Sequence, residues 1–184
     1  MRRYIATAAV IALLVAIPYF IALAVKRKRL TFPRFANYLL VAYGVCLVFY
    51  TILFTGLGSG GGGINLQLYI PFVTDASGDS AEMLRWFSID EYIYNIVLFL
   101  PFGVLVPLNF PRVDRVYKTV ALALCCTLAI ELVQRLIGRA FDVNDIAANT
   151  LGGLIGACAF FPVRWFIRLL RGGRVRKKKR SADC

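Results

Sequence analysis

The sequence predicts an all-α, polytopic integral membrane protein with about five transmembrane helices, its N-terminus outside and its C-terminus cytoplasmic. Composition, segment length and the placement of charge lead there. Of the 184 residues, 59% are hydrophobic, and they come in long blocks separated by short charged clusters. A bilayer core needs roughly 20 consecutive apolar residues per helical span, because each backbone amide must be bonded within its own segment. The formal net charge of +12 would suggest nucleic acid in a soluble protein, but here the cations sit between and after the apolar blocks. No nucleic-acid partner is expected.

The first span runs from about Ile5 to Val25 and the second from Phe35 to Leu57. The third, Tyr92 to Phe110, contains Pro101 and Pro107 and is expected to kink. The fourth covers Tyr117 to Ile137; the fifth, Val143 to Leu170, is longer than a bilayer requires. The long connection between spans two and three opens on the flexible run Gly58-Ser59-Gly60-Gly61-Gly62-Gly63. It continues through an apolar, extended stretch from Ile64 to Phe72. A short amphipathic helix from Asp79, carrying Trp86 and Phe87, then suits the lipid interface.

Lys and Arg placement sets the orientation, because cations are hard to translocate. With five spans, the cluster Lys26 to Arg34, the connection with Arg112, Arg115 and Lys118, and the basic tail share one side. Of the 22 basic residues only Arg2, Arg3, Arg85, Arg135 and Arg139 fall on the other, together with every acid except Asp114 and Asp183. The competing reading is a signal peptide cleaved after Ala22-Leu23-Ala24. Cleavage would leave both the Lys26 cluster and the tail outside, against the charge rule. The tail reads first as a topology anchor and second as a surface for anionic lipid.

With that orientation, the polar residues least suited to a membrane share one outward depth. Thr127, Glu131 and Gln134 follow one face of span four at i, i+4 and i+7, and Asn95 lies near the outer start of span three. Glu131 is the costly one, at roughly 2.5 to 3.5 kcal/mol on insertion scales, so it should face a partner or a wet cavity. Arg135 and Arg139 are candidate partners. In the turn Gly138-Arg139-Ala140-Phe141-Asp142-Val143-Asn144-Asp145, either Asp142 or Asn144 can cap the fifth helix. Asp145 and Asn149 share a face that continues into Gly152 and Gly156, with Gly153 beside it. That small-xxx-small pattern admits close helix approach, and spans four and five are expected to pack there. An outward pocket lined by Asn95, Glu131, Gln134, Arg139, Asp142, Asp145 and Asn149 follows. Each piece also has a structural reading: Asp142 and Asn144 as caps, the amides as interhelical hydrogen bonds, Glu131 as half of an ion pair.

Four of the five cysteines, Cys46, Cys125, Cys126 and Cys158, lie in apolar segments, and Cys184 ends the chain. Neither a disulfide framework nor metal-ligand spacing follows. With no histidine, acid and base chemistry falls to carboxylates. No metal or cofactor is expected.

The stretches Asn95-Ile96-Val97-Leu98-Phe99-Leu100-Pro101-Phe102-Gly103, Ile130-Glu131-Leu132-Val133-Gln134, Gly138 to Asp145, and Asn149-Thr150-Leu151-Gly152-Gly153 closely resemble the VanZ-like family of bacterial membrane proteins, named for a teicoplanin-resistance protein. The resemblance runs from about Asn65 to Ala159. Asn65 and Ile70-Pro71-Phe72 look like a stretched form of the family's Asn-Leu-Ile-Pro-Phe loop, and Thr127 stands where the family often has serine. The resemblance implies a VanZ-like transmembrane domain over 35–170 with an outer loop at 58–91, preceded by 1–34 and followed by a basic tail at 171–184. It also implies the bacterial cytoplasmic membrane, reduced susceptibility to teicoplanin-type lipoglycopeptides, and an outward site for lipid, a lipid-linked cell-wall precursor or the drug. Two other mechanisms fit the same residues. One is an enzyme using Glu131 with Asp142 or Asp145 as acid and base and Arg139 to hold an anionic group. The other is a small proton-coupled transporter, for which five spans imply a homo-oligomer.

Overall fold

The computed structural model describes residues 31–54, 63–68 and 89–180. The first expected span, most of the glycine run and the amphipathic helix at Asp79 lie outside the described residues. Within them, four helices are long and apolar enough to cross a membrane: Phe32–Ile52, Asp90–Asn109, Val116–Leu136 and Val143–Leu170. They match the second to fifth expected spans with ends shifted by a few residues.

The first described helix, α1 (Phe32–Val48), starts at Thr31, whose carbonyl takes the Phe35 N–H at 2.9 Å, with proline in the first turn. It continues as a π-helical turn over Phe49–Phe54. There the Thr51 hydroxyl bonds back to the Leu47 carbonyl at 2.8 Å, a contact that bends helices. Helix α2 (Ile89–Asn109) runs on through Pro101 and Pro107. Helix α3 (Val116–Leu136) ends on Gly138 at φ 88°, with Arg139 N–H bonded to Gln134 O and Gly138 N–H to Arg135 O. This is a Schellman motif, and it needs glycine because a Cβ is strained in the left-handed region. A short parallel pair follows: β1 (Ile64–Asn65) lies against β2 (Phe141–Asp142), with Ile64 opposite Phe141 and Asn65 opposite Asp142. Helix α4 spans Val143–Arg180. At about 1.5 Å per residue, even its apolar 28 residues exceed the roughly 30 Å hydrocarbon core.

Glycine spacing decides which helices meet. A Cβ on Gly152 would overlap the Ile96 carbonyl, and one on Gly156 the Leu100 carbonyl. A Cβ on Gly103 would collide with the α4 backbone at Gly153, Gly156 and Ala157. The Gly152/Gly156 face therefore packs on α2, not on the fourth expected span as the sequence reading has it; only Gly153 turns to that span, meeting Ala123. The helical period names a face but not its neighbour. Phe99, Leu47, Ala123 and Ile130 form the buried core beside it, with Tyr43 donating to the Leu98 carbonyl at 3.0 Å across α1 and α2. Large side chains such as Val97, Leu132 and Trp165 face outward, where hydrocarbon rather than water would surround them.

Candidate functional site

One end of the bundle gathers the finish of α1, the start of α2, the finish of α3, both strands and the start of α4. Its hub is the N-terminus of α4, where unsatisfied amides and the helix dipole favour negative charge. Asp142 is the capping residue. Its Oδ1 accepts the Asn144 backbone N–H at 2.8 Å, the Asn144 side-chain amide at 2.8 Å and the Asn65 side-chain amide at 3.1 Å. In a capping box the cap's own N–H would be taken by the side chain three residues on, which here is Asp145. Instead, Glu131 reaches over from α3 and its Oε2 accepts the Asp142 N–H at 3.0 Å. Asp145 is left to accept the Asn95 side-chain amide from α2 at 2.6 Å. The box is thus assembled from three helices, which ties their ends together.

Glu131 is 2% exposed, and the bond it makes is to the backbone rather than to an arginine. Arg139 instead donates to the Thr51 carbonyl at 3.0 Å, which also receives the Gln134 side-chain amide at 2.9 Å. The guanidinium remains close enough to act on both Glu131 and Asp145 through its field. Arg135 is exposed. One turn deeper, the Asn149 side-chain amide donates to the Thr127 hydroxyl at 2.8 Å, joining α4 to α3. Asn149 is 3% exposed, and its Oδ1 has no hydrogen-bond partner among the described residues.

All of the polar residues expected to cluster at this end are found there, but in pairs with distinct roles. Asn95 with Asp145 and Asn149 with Thr127 cross helix seams; Glu131 and Asp142 share the α4 cap; Gln134 and Arg139 converge on α1. Thr51 was not legible beforehand, because its contribution is a main-chain carbonyl. The strand β1 was another gap. Asn65, 8% exposed, ties it to Asp142, its Oδ1 takes the Gln67 N–H at 3.1 Å, and the Gln67 carbonyl receives the Asn144 amide at 3.0 Å. Asn144 is consequently a buried bridge between α4 and the loop, not a helix cap. Among the described residues, no group of His, Cys, Asp and Glu is placed to hold a metal ion.

A family profile described as VanZ/LLP1 matches residues 35–168, a range that reaches into all four helices of this bundle. The chain belongs to the VanZ/LLP1 family. A similar curated protein is Protein VanZ of Enterococcus faecium, 36% identical over 67 residues, covering 36% of this chain and 41% of that protein. The match thus spans less than half of the relative's length. No solved structure matches the chain. The VanZ/LLP1 match takes in β1 with Asn65 as well as Asn95, Glu131, Asp142, Asp145 and Asn149, so the loop contacts of Asn65 belong to the matched region.

Proposed function

We propose that this VanZ/LLP1 protein resides in the bacterial cytoplasmic membrane with the carboxylate end facing outward and lowers susceptibility to teicoplanin-type lipoglycopeptides. The ligand on this reading is envelope lipid, a lipid-linked cell-wall precursor or the drug itself. The observation that carries it is Glu131: 2% exposed, in a span apolar enough to cross the bilayer, and engaged through one carboxylate oxygen. An ionisable group held at that depth marks a site more often than a scaffold. Orientation rests on charge, since the Lys118 and Arg164 end carries the basic excess. A binding role is favoured over acid and base catalysis because Asp142, one of the candidate acids, already accepts three donors at one oxygen, which commits it to holding the turn.

The experiment is Glu131→Gln in a strain where deleting the protein lowers teicoplanin tolerance. Glutamine keeps an acceptor for the Asp142 N–H while removing the charge. Tolerance should fall towards the deletion level with membrane abundance unchanged on blots. Unchanged tolerance at unchanged abundance would refute the site. The orientation is checked by cysteine labelling in a cysteine-free background: Ser77→Cys should react in intact cells and Ser181→Cys only after permeabilisation.

A further inference from the structure

Charge at the carboxylate end does not balance. Glu131, Asp142 and Asp145 surround the α4 N-terminus, opposed by Arg139 and by about half a charge of helix dipole. Adding the exposed Glu91 and Arg135 on either side leaves the excess in place. A negative excess at a depth where water is scarce is relieved by a proton or by a bound cation, because burial penalises uncompensated charge. The free hydrogen-bonding capacity has the same sign. The bonds described above engage Glu131 through Oε2 and Asp142 and Asp145 through Oδ1, and none of them uses Glu131 Oε1, Asp145 Oδ2 or Asp142 Oδ2.

Asn149 supplies the independent observation. It sits four residues after Asp145 on α4 and is bonded to Thr127, four residues before Glu131 on α3. Its amide therefore lies in the α3–α4 seam, one helical turn deeper than the two acids. It is 3% exposed, and Oδ1 is a buried acceptor with no donor. Buried acceptors of this kind require an explanation. Among the described residues no group of His, Cys, Asp and Glu is placed to hold a metal ion, whereas a cation with several N–H donors can address such acceptors one by one.

We propose that this end of the bundle binds a protonated primary amine, with Glu131 and Asp145 as charge partners and the Asn149 carbonyl oxygen as the deeper acceptor. The proposal rests on the reading of the cluster as a site and names the chemistry of its ligand: an ammonium, carried either by a lipid headgroup at the outer leaflet or by a soluble amine.

The test uses the full chain, purified in detergent, and measures thermal stability without any antibiotic, so its result is separate from that of the susceptibility experiment. Dioleoylphosphatidylethanolamine and dioleoylphosphatidylcholine share chains and phosphate, but the second ammonium has no N–H. Ethylammonium and tetramethylammonium chlorides make the same contrast in solution. Expected is stabilisation by the N–H-bearing member of a pair only. A response to the phospholipid but not to ethylammonium assigns the amine to a headgroup, and the reverse assigns it to a soluble molecule. Glu131→Gln and, as a second variant that keeps the Asn95 bond, Asp145→Asn should each weaken the preferred ligand by roughly tenfold or more, the scale of a charge-assisted hydrogen bond. Equal responses to both members of both pairs would overturn the proposal. So would a preference that survives both substitutions.

Discussion

The two ends of the bundle use polar residues in opposite ways. At the carboxylate end they are buried and bonded across helices: Asn95 to Asp145, Glu131 to the Asp142 amide, Gln134 to Thr51, Asn149 to Thr127. At the other end the ion pair is exposed, and the bonds between helices run from side chains to main-chain carbonyls. Lys118 meets Asp114 at 2.6 Å as an exposed i,i+4 pair. Asn109 holds the Ala36 carbonyl at 3.1 Å, and Arg164 covers the Pro107 carbonyl at 3.4 Å, which stands four residues before Pro111 and so has no backbone donor from it. Exposed charge costs little and stabilises little. Buried charge is costly unless fully paired, which is why the carboxylate end is the one proposed above as a site. On the proposed function the contrast is one between an anchoring end and a working end, and substitutions at Gly152, Asp142 and Asp114 probe it.

The largest effect should come where helix contact holds the working end together. Gly152 sits two turns after Asp145 on α4 and against Ile96, the residue after Asn95, with no space for a Cβ. Gly152→Val must push α2 from α4 and separate Asn95 from Asp145, at a cost above about 3 kcal/mol. Gly44→Val is the control, because nothing lies within 4 Å of a Cβ there. Purified yield and melting temperature in detergent should collapse for the first and hold for the second. Similar melting temperatures for both would mean the α2–α4 approach is not as close as described.

Next in size is the cap. Asp142→Ala removes the acceptor for Asn65 and for two donors of Asn144, itself 4% exposed, and should cost about 1 to 3 kcal/mol. Asp142→Asn keeps an oxygen in place and caps about as well, so it should change the melting temperature little. If asparagine proves as damaging as alanine, the charge of Asp142 matters and its assignment as a holding residue fails.

Much of this contrast was legible in the sequence, for a physical reason in each case. Hydrophobic length located α1 to α4, since a membrane demands it, and helical period put Thr127, Glu131 and Gln134 on one face and Asp145 with Asn149 on another. What period cannot supply is the partner. The glycines of α4 marked a close approach but not that α2 makes it, and Gly103, its counterpart, carries no signal apart from being small. Glu131 was costly enough to demand a partner, yet the partner is an amide of the next turn, invisible to a search for arginine. Main-chain groups, Thr51 O above all, and the β1–β2 pairing across 77 residues emerge only when distant segments meet.

The smallest effect belongs to the anchoring end and concerns Asp114. The hydrogen bond from Lys118 holds its carboxyl below the usual carboxylate value, helped by a bond to its own backbone and by the nearby charges of Lys118 and Arg115. Because the folded value is depressed, whatever stability it contributes is present above the unfolded value, near 4, and disappears as pH falls through the lower, folded one. Asp114→Asn should therefore converge on the parent protein as pH falls through that folded value. At pH 7 in moderate salt the exposed pair is screened, and the melting temperatures should differ by no more than the error of measurement. The residue also lies outside every buried network described above, so amine binding and drug tolerance should be unmoved. A clear loss of stability in Asp114→Asn at pH 7, persisting in high salt, would show that this end too depends on desolvated charge, and the division between anchoring and working ends would have to be redrawn.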